Sequence, residues 1–495
     1  MVDFLDGKVS IRHPDRFFIG GEWVNPSSGK QIALVSPVTE QVYGHVAEAA
    51  EADVERAVAA ARTAFDQGPW PLMTPGERGK YLARLTEELT ARGDELAHAW
   101  TGQIGPVFPF TQAATGMSIG LVDFQAKHAD SYVWEEQRPT MYPDSVGMIV
   151  REPVGVVAAI APWNAPLFSL LIKVAPALVA GCTVVMKPSP ESPLEAYILC
   201  ECVEAAGFPP GVVNMLTADR AVSDYLVQQP GVDKVSFTGS TAAGKRIGSV
   251  CAERVARVTL ELGGKSPAIL LDDMDIEEAT SILAPTLTTL SGQVCSNLTR
   301  FLVPRTRHDD FVDSLAAKLS AIQVGDPYDP ATQMGPLAMK RQLERVEGYI
   351  QKGVSEGAKL VTGGRRPAHL NHGFFFEPTL FANVDNRSTI AQEEIFGPVA
   401  CVTAYEDLDD AIRLANETHF GLAGAVFTND ADAAYRVARS IKAGTISQNG
   451  LKPDFFIAFG GFKESGLGRE GGLDAVLPYL ETKTLVLSAV PSKAA

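Results

Sequence analysis

One cysteine differs from the other five in its sequence surroundings. Cys295 lies in the run GQVCSN, residues 292–297, just after a predicted helix and among glycine and small polar residues. The remaining five lie in apolar helical or strand patterns, where buried and inert thiols are usual. A loop thiol suits a nucleophile, although a lone cysteine most often only fills core space. No histidine lies near Cys295 in the sequence, which counts against a cysteine hydrolase.

A carboxylate falls at the end of a predicted apolar strand. Glu261 stands in the run LELGGK, residues 260–265. Partial burial there would raise the pKa of its carboxyl toward the range of a general base. The segment alone leaves a second interpretation open, a structural ion pair between Glu261 and Lys265.

A glycine-containing turn precedes this strand. The run GSTAAGKR, residues 239–246, follows a predicted strand and opens a predicted helix. It nearly matches the phosphate loop of NTPases, but Arg246 stands where that loop needs a hydroxyl group to hold Mg²⁺. The turn also suits a dinucleotide pyrophosphate at a helix N-terminus, or it is only a tight strand–helix turn.

Alternating strands and helices must position these residues. Strands are predicted over 154–160, 183–187, 212–216, 232–237 and 258–262, and the helices between them over 166–180, 219–229 and 241–251. This alternation predicts an α/β fold with a doubly wound parallel sheet. A further helix is predicted after Ser192, with a capping box formed by Ser192 and Glu195.

A second αβ region follows the first. Its strands are predicted over 266–271 and 301–303. The tail predicts one more strand over 484–490, which has no local partner. Such a strand favours pairing across a subunit interface.

Composition excludes several classes of function. The 495 residues carry 43 Lys and Arg against 59 Asp and Glu, a formal charge of −16, so neither nucleic acid nor a membrane is an expected partner. The six cysteines form no C-x-x-C pair, and no H-E-x-x-H occurs, so neither a disulfide framework nor a metal site is expected. The start MVDFLDGKVS is unlike a signal peptide, and a cytoplasmic location is therefore expected.

Together these segments resemble the NAD(P)-dependent aldehyde dehydrogenase superfamily. The resemblance rests on ELGGKSP from Glu261 and on GQVC ending at Cys295, and it extends over nearly the whole chain. Further matching runs are GGEW at 20–23, PWN at 162–164, KPS at 187–189, FTGS at 237–240, EEIFGP at 393–398, FGGFKESG at 459–466 and GRE at 468–470.

The resemblance implies a catalytic role for three residues. Cys295 would attack the aldehyde carbon as a thiolate. The side-chain amide of Asn164 and the backbone N–H of Cys295 would stabilise the oxyanion. Glu261 would activate the water that hydrolyses the resulting thioester to a carboxylic acid.

The resemblance also implies a cofactor site. Lys187 would bind the adenosine ribose, and Gly239 and Ser240 would face the pyrophosphate. Glu394 would hold the nicotinamide ribose, with Phe396 against the nicotinamide and Trp163 lining the cleft.

One departure from the family pattern concerns the choice of cofactor. NAD-preferring relatives often carry Glu three residues after the lysine, where this chain has Pro190, with Glu191 next. The loss leaves NADP open, but no arginine stands nearby in the sequence to bind its 2′-phosphate, and Ser189 is ambiguous. NAD is the expected cofactor.

A second departure concerns the substrate. Ala165 and Ile172 occupy places where relatives that act on small aldehydes often have aromatic residues. Val294 and Ser296 flank the thiol, and walls are expected from Phe168, Phe455, Phe456 and Phe459. These residues predict a roomy apolar tunnel for a medium-sized or bulky hydrophobic aldehyde, or they simply repack the pocket.

The resemblance implies a domain organisation as well. A Rossmann-like cofactor domain is expected from 1–136 and 152–261, an α/β catalytic domain from 262–480, and a small β oligomerisation arm from 137–151 and 481–495. A homodimer or homotetramer is expected. Two alternatives stay open, a CoA-acylating semialdehyde dehydrogenase and a non-catalytic scaffold protein. The retained Glu261 favours water over CoA, and intact Cys295, Glu261 and Asn164 argue against a scaffold.

Overall fold

The structure of the chain, a computed structural model, describes residues 1–491. The strands are β1 (Val2–Phe4), β2 (Val9–Ile11), β3 (Phe17–Ile19), β4 (Glu22–Val24), β5 (Gln31–Val35), β6 (Val42–Ala47), β7 (Glu135–Arg138), β8 (Val146–Pro153), β9 (Val156–Ile160), β10 (Thr183–Lys187), β11 (Val213–Met215), β12 (Lys234–Thr238), β13 (Arg257–Glu261), β14 (Ser266–Leu270), β15 (Leu298–Pro304), β16 (Lys359–Thr362), β17 (Thr379–Ala382), β18 (Val399–Tyr405), β19 (Ala423–Phe427), β20 (Thr445–Gln448), β21 (Gly466–Leu467) and β22 (Leu480–Leu487). The α-helices are α1 (Glu51–Asp66), α2 (Pro75–Ala91), α3 (Gly93–Ile104), α4 (Phe108–His128), α5 (Pro166–Ala180), α6 (Leu194–Ala205), α7 (Arg220–Gln228), α8 (Thr241–Arg254), α9 (Ile276–Thr288), α10 (His308–Ser320), α11 (Lys340–Ser355), α12 (Thr389–Gln392), α13 (Leu408–Asn416) and α14 (Ala431–Ser440).

The first large sheet has eight strands, in the order β21-β13-β12-β9-β10-β11-β3-β4. The five strands from β13 to β11 run parallel. Numbered along the chain, they follow the order 3-2-1-4-5 from β11 to β13, which is typical of doubly wound dinucleotide-binding sheets. Every residue of β9 and β10 is buried, because helices cover both faces. The predicted α/β fold is confirmed.

The second large sheet has seven strands, in the order β16-β17-β18-β15-β14-β19-β20, and all but β16 run parallel. Only residues 262–265 connect β13 of the first sheet to β14 of the second. Because this connection is so short, the carboxyl end of β13 lies beside the amino end of β14. The loops at these two sheet edges therefore meet.

A three-stranded antiparallel sheet in the order β22-β8-β7 forms the arm. β22 pairs with β8 of the same chain along its whole length, from Leu480 opposite Pro153 to Leu487 opposite Val146. The tail strand, which has no local partner, thus finds one within its own chain, which the sequence did not indicate because β8 lies far earlier.

The predicted domain boundaries stay predictions. Residues 492–495 of the expected arm lie outside the described residues. β21 joins the first sheet by pairing with β13, although the expected boundaries place it in the catalytic domain.

Local signals predicted some elements to the residue and failed at one cap. α5 and β10 have the predicted bounds. The capping box at Ser192 is wrong, because α6 begins at Leu194 and Ser192 Oγ has no hydrogen-bond partner among the described residues. Gln103 of α3 takes its place, since its Oε1 accepts from Leu194 N at 2.9 Å and its Nε2 donates to Glu195. In residues 1–491, no helix has the length and apolar composition needed to cross a bilayer.

Candidate active site

A single cavity of about 1840 Å³ lies where the two large sheets meet. Pockets for one small molecule usually measure about 300–1,000 Å³, so this volume suits two ligands held together. The predicted catalytic and cofactor residues line it, as do the predicted substrate residues other than Phe456. They are Cys295, Glu261, Asn164, Lys187, Gly239, Ser240, Glu394, Phe396, Trp163, Ala165, Phe168, Ile172, Val294, Ser296, Phe455 and Phe459.

A strained turn leads into the cysteine loop. Leu290, Ser291 and Gly292 have φ angles of 50°, 54° and 75°. These angles lie in the left-handed region, which is unfavourable for residues other than glycine. Ser291 Oγ donates to the carbonyl of Gly335 at 2.9 Å. A Cβ on Gly292 would lie 2.2 Å from the carbonyl carbon of Gly397, so only glycine fits there. These contacts set the path of the backbone toward Cys295, which is partly exposed in the loop before β15.

Two hydrogen bonds place Asn164 beside the cysteine loop. Trp100 Nε1 donates to the carbonyl of Asn164 at 2.9 Å, and Asn164 Nδ2 donates to the carbonyl of Gln293 at 2.9 Å. An amide nitrogen carries two hydrogens, so one stays available for a ligand oxygen. Asn164 therefore offers one free N–H donor beside the cysteine loop.

Glu261 is the last residue of β13 and is buried. Neither carboxylate oxygen has a hydrogen-bond partner among the described residues. The nearby ammonium of Lys173 is paired instead with Glu470 Oε1 at 2.5 Å. Burial, and then the charge of Glu470, raise the pKa of the Glu261 carboxyl well above its ordinary value, while Lys173 opposes the shift. Within residues 1–491 no salt bridge joins Glu261 to Lys265, so the ion-pair interpretation is wrong.

The thiol of Cys295 is held in its protonated form. Burial, with smaller contributions from the carboxylates of Glu394 and Glu261, raises its pKa to about 12. Because the thiolate is the nucleophilic form, reaction near neutral pH needs a base that removes the proton. Glu261 is a buried carboxyl without a partner in the same cavity, and it suits that task.

The turn after β12 fits a dinucleotide pyrophosphate. Ser240 caps α8, its Oγ accepting from Ala243 N at 3.3 Å. A Cβ on Gly239 would lie 2.5 Å from the ring of Phe237, so glycine lets the backbone pass this ring, and Gly239 lines the cavity without a side chain. The turn lies where the strand order of the sheet reverses, the usual crevice for such ligands.

Lys187 ends β10 on the other side of that crevice. Burial lowers the pKa of its ammonium to about 8, against the opposing charges of Glu191 and Asp219. No arginine stands nearby in the sequence, but one does in space, because Arg341 Nη2 of α11 lies 2.6 Å from Glu191 Oε1. The expectation of an arginine-free surrounding is therefore wrong.

Glu394 and Phe396 line the same cavity and were predicted to bind the nicotinamide half of the cofactor. Glu394 Oε1 accepts from Gly264 N at 3.0 Å, and the Phe396 ring meets Trp163 edge to face with 5.3 Å between centroids. Phe396 has φ of 62°, and its carbonyl accepts from Gln342 Nε2 at 2.6 Å. Arg345 of the same helix donates to the carbonyl of Glu394. Sequence reasoning missed Gln342 and Arg345. Their only signal in the sequence is that two polar side chains stand three residues apart on α11.

These residues fit a dinucleotide. The N-terminus of α8, the ammonium of Lys187 and the carboxylate of Glu394 line one cavity, the types of group that the pyrophosphate and the two riboses of a dinucleotide bind. No group of three or more His, Cys, Asp or Glu side chains within residues 1–491 is placed to hold a metal ion.

Apolar and aromatic side chains line the part of the cavity beyond the thiol. Phe455 lies 4.5 Å from Phe168 and 4.8 Å from Phe459 between ring centroids. Phe456 was expected to supply a wall, but it is not among the lining residues and packs on Phe124 at 5.5 Å. Sequence reasoning missed the face of α4 and its neighbour that complete this part. They are Trp100, Phe110, Ala114, Met117 and Ser118.

Comparison with known proteins places this geometry in a family. A model of the aldehyde dehydrogenase family matches residues 23–485. A geranial dehydrogenase of Castellaniella defragrans is 42% identical over 480 residues, covering 97% of this chain and 100% of that protein. A putative aldehyde dehydrogenase of Staphylococcus aureus is 42% identical over 481 residues, covering 96% of this chain and 99% of that protein.

Solved structures agree. The Mycobacterium tuberculosis aldehyde dehydrogenase complexed with NAD⁺ superposes with a TM-score of 0.94 at 43% identity, covering 96% of this chain and 98% of that one. A mutant of aldehyde dehydrogenase C from Pseudomonas syringae, in complex with NAD⁺ and octanal, superposes with a TM-score of 0.93 at 39% identity. The match covers 98% of this chain and 99% of that one. The family resemblance noted in the sequence is confirmed.

The raised pKa of Cys295 predicts how the thiol reacts with an alkylating reagent. In the enzyme without ligands, we expect the rate of alkylation by iodoacetamide to rise about tenfold per pH unit from pH 8 to 10, because the thiolate fraction does so below the pKa. Glu394→Gln removes a carboxylate that raises this pKa, so its rate at pH 9 should exceed that of the wild type. Cys295→Ala supplies the background, and a plateau with a midpoint near pH 8 would contradict the prediction.

Proposed function

The chain belongs to the aldehyde dehydrogenase family, and we propose that its cavity oxidises an aldehyde to the carboxylic acid with NAD as the oxidant. One observation carries the proposal. A thiol, an unpartnered buried carboxyl and a free amide hydrogen, from Cys295, Glu261 and Asn164, line the same cavity as residues that fit a dinucleotide. Similar structures complexed with NAD⁺ support the choice of cofactor.

The first step joins the substrate to the enzyme. Glu261 in its ionised form takes the proton from Cys295 Sγ, and the sulfur then attacks the carbonyl carbon. The carbonyl oxygen becomes an oxyanion, which accepts hydrogen bonds from Asn164 Nδ2 and from the backbone N–H of Cys295. The product is a thiohemiacetal.

The second step oxidises the bound carbon, and the third releases it. When bound, the nicotinamide supplies the acceptor for the hydride that leaves this carbon. A thioester on Cys295 remains. Glu261 first releases the proton of the first step to solvent and then takes a proton from a water molecule, whose oxygen attacks the thioester carbon while the C–S bond breaks. The acid departs, and the thiolate that leaves takes this proton back from Glu261, which restores both groups for another cycle.

The substrate we propose is a medium-sized or bulky hydrophobic aldehyde. Phe168, Phe455 and Phe459 form an aromatic wall, and Ala165 leaves space where a larger side chain would narrow the tunnel. Burial of each CH₂ group contributes about 0.8 kcal/mol, so such walls favour long apolar chains. The relative named for geranial and the structure holding octanal are consistent with this class.

We propose further that the arm assembles the chain into a homodimer or homotetramer. In the order β22-β8-β7, the outer edges of β22 and β7 pair with no strand of residues 1–491. Exposed apolar side chains flank these edges, as expected for a surface that a second copy covers. They are Val133, Met141, Tyr142 and Val486. The cytoplasmic location and the lack of a nucleic-acid partner stay predictions.

The reaction is tested by the absorbance of NADH formed from NAD⁺ and octanal. Cys295→Ala should abolish the signal. Glu261→Gln should lower the steady-state kcat by about 10²–10⁴-fold, the range usual for loss of a general base. Cys251→Ala and Glu253→Gln, which lie outside the cavity, are the matched controls and should keep the wild-type rate.

The same assay separates water from CoA as the acyl acceptor. NADH should form at the same rate with and without CoA. A rate that depends on CoA would show that the thioester goes to a thiol instead of water. Activity that survives Cys295→Ala would contradict the mechanism altogether.

The substrate class predicts an order among aldehydes. We expect kcat/KM for octanal and geranial to exceed that for acetaldehyde by about tenfold or more, since six or more additional carbons become buried. Ala165→Phe fills part of the tunnel and should lower kcat/KM for geranial by about tenfold while changing that for acetaldehyde little. Betaine aldehyde serves as a charged comparator. A preference for acetaldehyde or betaine aldehyde, or an equal loss for all substrates in Ala165→Phe, would contradict the proposed class.

A further inference from the structure

A charged pair formed by Glu191 and Arg341 lines the same cavity as Lys187. Glu191 accepts a hydrogen bond from Ser189 Oγ at Oε2, and Oε1 lies 2.6 Å from Arg341 Nη2. Each carboxylate oxygen therefore has one partner and keeps a lone pair for a further donor. All four side chains line the cavity.

The pair joins two parts of the molecule. Glu191 belongs to the loop after β10 of the first sheet, and Arg341 to the first turn of α11, which packs with the second sheet. The side chain of Arg341 is 63% exposed, and ion pairs with so much solvent contact add little to stability. The consequence of the pair is electrostatic, since it sets the charge that a ligand meets at Lys187.

We propose that Glu191 selects a dinucleotide with a free 2′-hydroxyl, and that Arg341 is a latent phosphate-binding residue which Glu191 neutralises. The inference rests on the proposed function, because it takes the adenosine ribose to lie at Lys187. The inference assigns the choice of cofactor to Glu191, which lies four residues after Lys187 instead of the usual three. It also assigns a role to Arg341, which the sequence around Lys187 did not indicate.

Charge explains the selection. A carboxylate accepts a hydrogen bond from a ribose hydroxyl, whereas a 2′-phosphate brings about two negative charges to the same place and is repelled. A guanidinium binds phosphate through two parallel hydrogen bonds, so Arg341 is the group that would favour NADP. Pairing with Glu191 keeps it from doing so.

A second acid–arginine pair on the cavity wall offers a matched control. Arg246 Nε and Nη2 each lie 3.2 Å from an oxygen of Asp224, on the side of α7 and α8. Asp224→Asn releases Arg246 as Glu191→Gln releases Arg341. Only the second change should matter if the position of the arginine, and not its mere release, decides the outcome.

The test measures the dissociation constants of NAD⁺ and NADP⁺ by titration calorimetry, without aldehyde. Glu191→Gln retains an oxygen that accepts from Ser189, so the loop is kept. We expect the wild type to bind NAD⁺ at least about tenfold more tightly than NADP⁺. Glu191→Gln should bind NADP⁺ at least about tenfold more tightly than the wild type does. The double variant Glu191→Gln with Arg341→Met should lose that gain, and Asp224→Asn should show none.

Three results would overturn the inference. They are an unchanged ratio of the two constants in Glu191→Gln, a gain that persists without Arg341, and an equal gain in Asp224→Asn. Because calorimetry needs no turnover, these results leave the proposed oxidation standing. Failure of the wild type to bind either dinucleotide would contradict the cofactor placement and the inference together.

Discussion

At Gly264 the backbone passes so close to the cysteine loop that no side chain fits there, and at Gly263 a side chain would displace the carboxylate of Glu394. A Cβ on Gly263 would lie 2.6 Å from Glu394 Oε2, and one on Gly264 would lie 2.3 Å from the carbonyl oxygen of Cys295. Gly264 N also donates to Glu394 Oε1 at 3.0 Å. This crossing is the connection between the two large sheets. The acid at the end of β13, the thiol before β15 and the carboxylate of Glu394 meet because the chain can cross there without side chains.

A shortage of positive charge then determines the resting state of the site. Glu261 and Glu470 are both buried, and Lys173 pairs with Glu470, which leaves the Glu261 carboxyl without a partner. An unpaired buried carboxyl favours its neutral form, and the raised pKa of Cys295 favours the neutral thiol. Burial therefore shifts both the thiol of Cys295 and the carboxyl of Glu261 toward their neutral forms. A buried base with a raised pKa binds a proton strongly once it is ionised, as removal of a proton from a thiol or from water requires.

Local sequence patterns were enough for many of the elements and for much of the proposed site. Pro166 and Gly181 bound α5 correctly because a proline start and a glycine end are properties of the helix itself. The residues in short motifs, Cys295 and Glu261 among them, lie on one cavity because strand ends bring their loops together. Their catalytic roles stay a proposal.

Contacts between distant segments could not be predicted in this way. The helix expected to be capped by Ser192 is capped by Gln103 of another helix, and the tail strand finds its partner in β8. Arg341 reaches Glu191 from α11, so the sequence around Lys187 gave no sign of it. Phe456 follows a residue that lines the cavity, yet its ring packs on Phe124 outside. In each case tertiary packing, which no short window contains, decides where the side chain lies.

The central claim is that the acyl group of the substrate passes through a covalent bond to Cys295 before water releases it. The most direct measurement is the mass of the peptide containing Cys295 after wild-type enzyme, mixed with NAD⁺ and octanal, is quenched in acid during the first turnover. The mechanism predicts that this peptide gains one octanoyl group, and that omission of NAD⁺ prevents the gain. Formation of NADH with the acyl group on another residue, or on none, would contradict it.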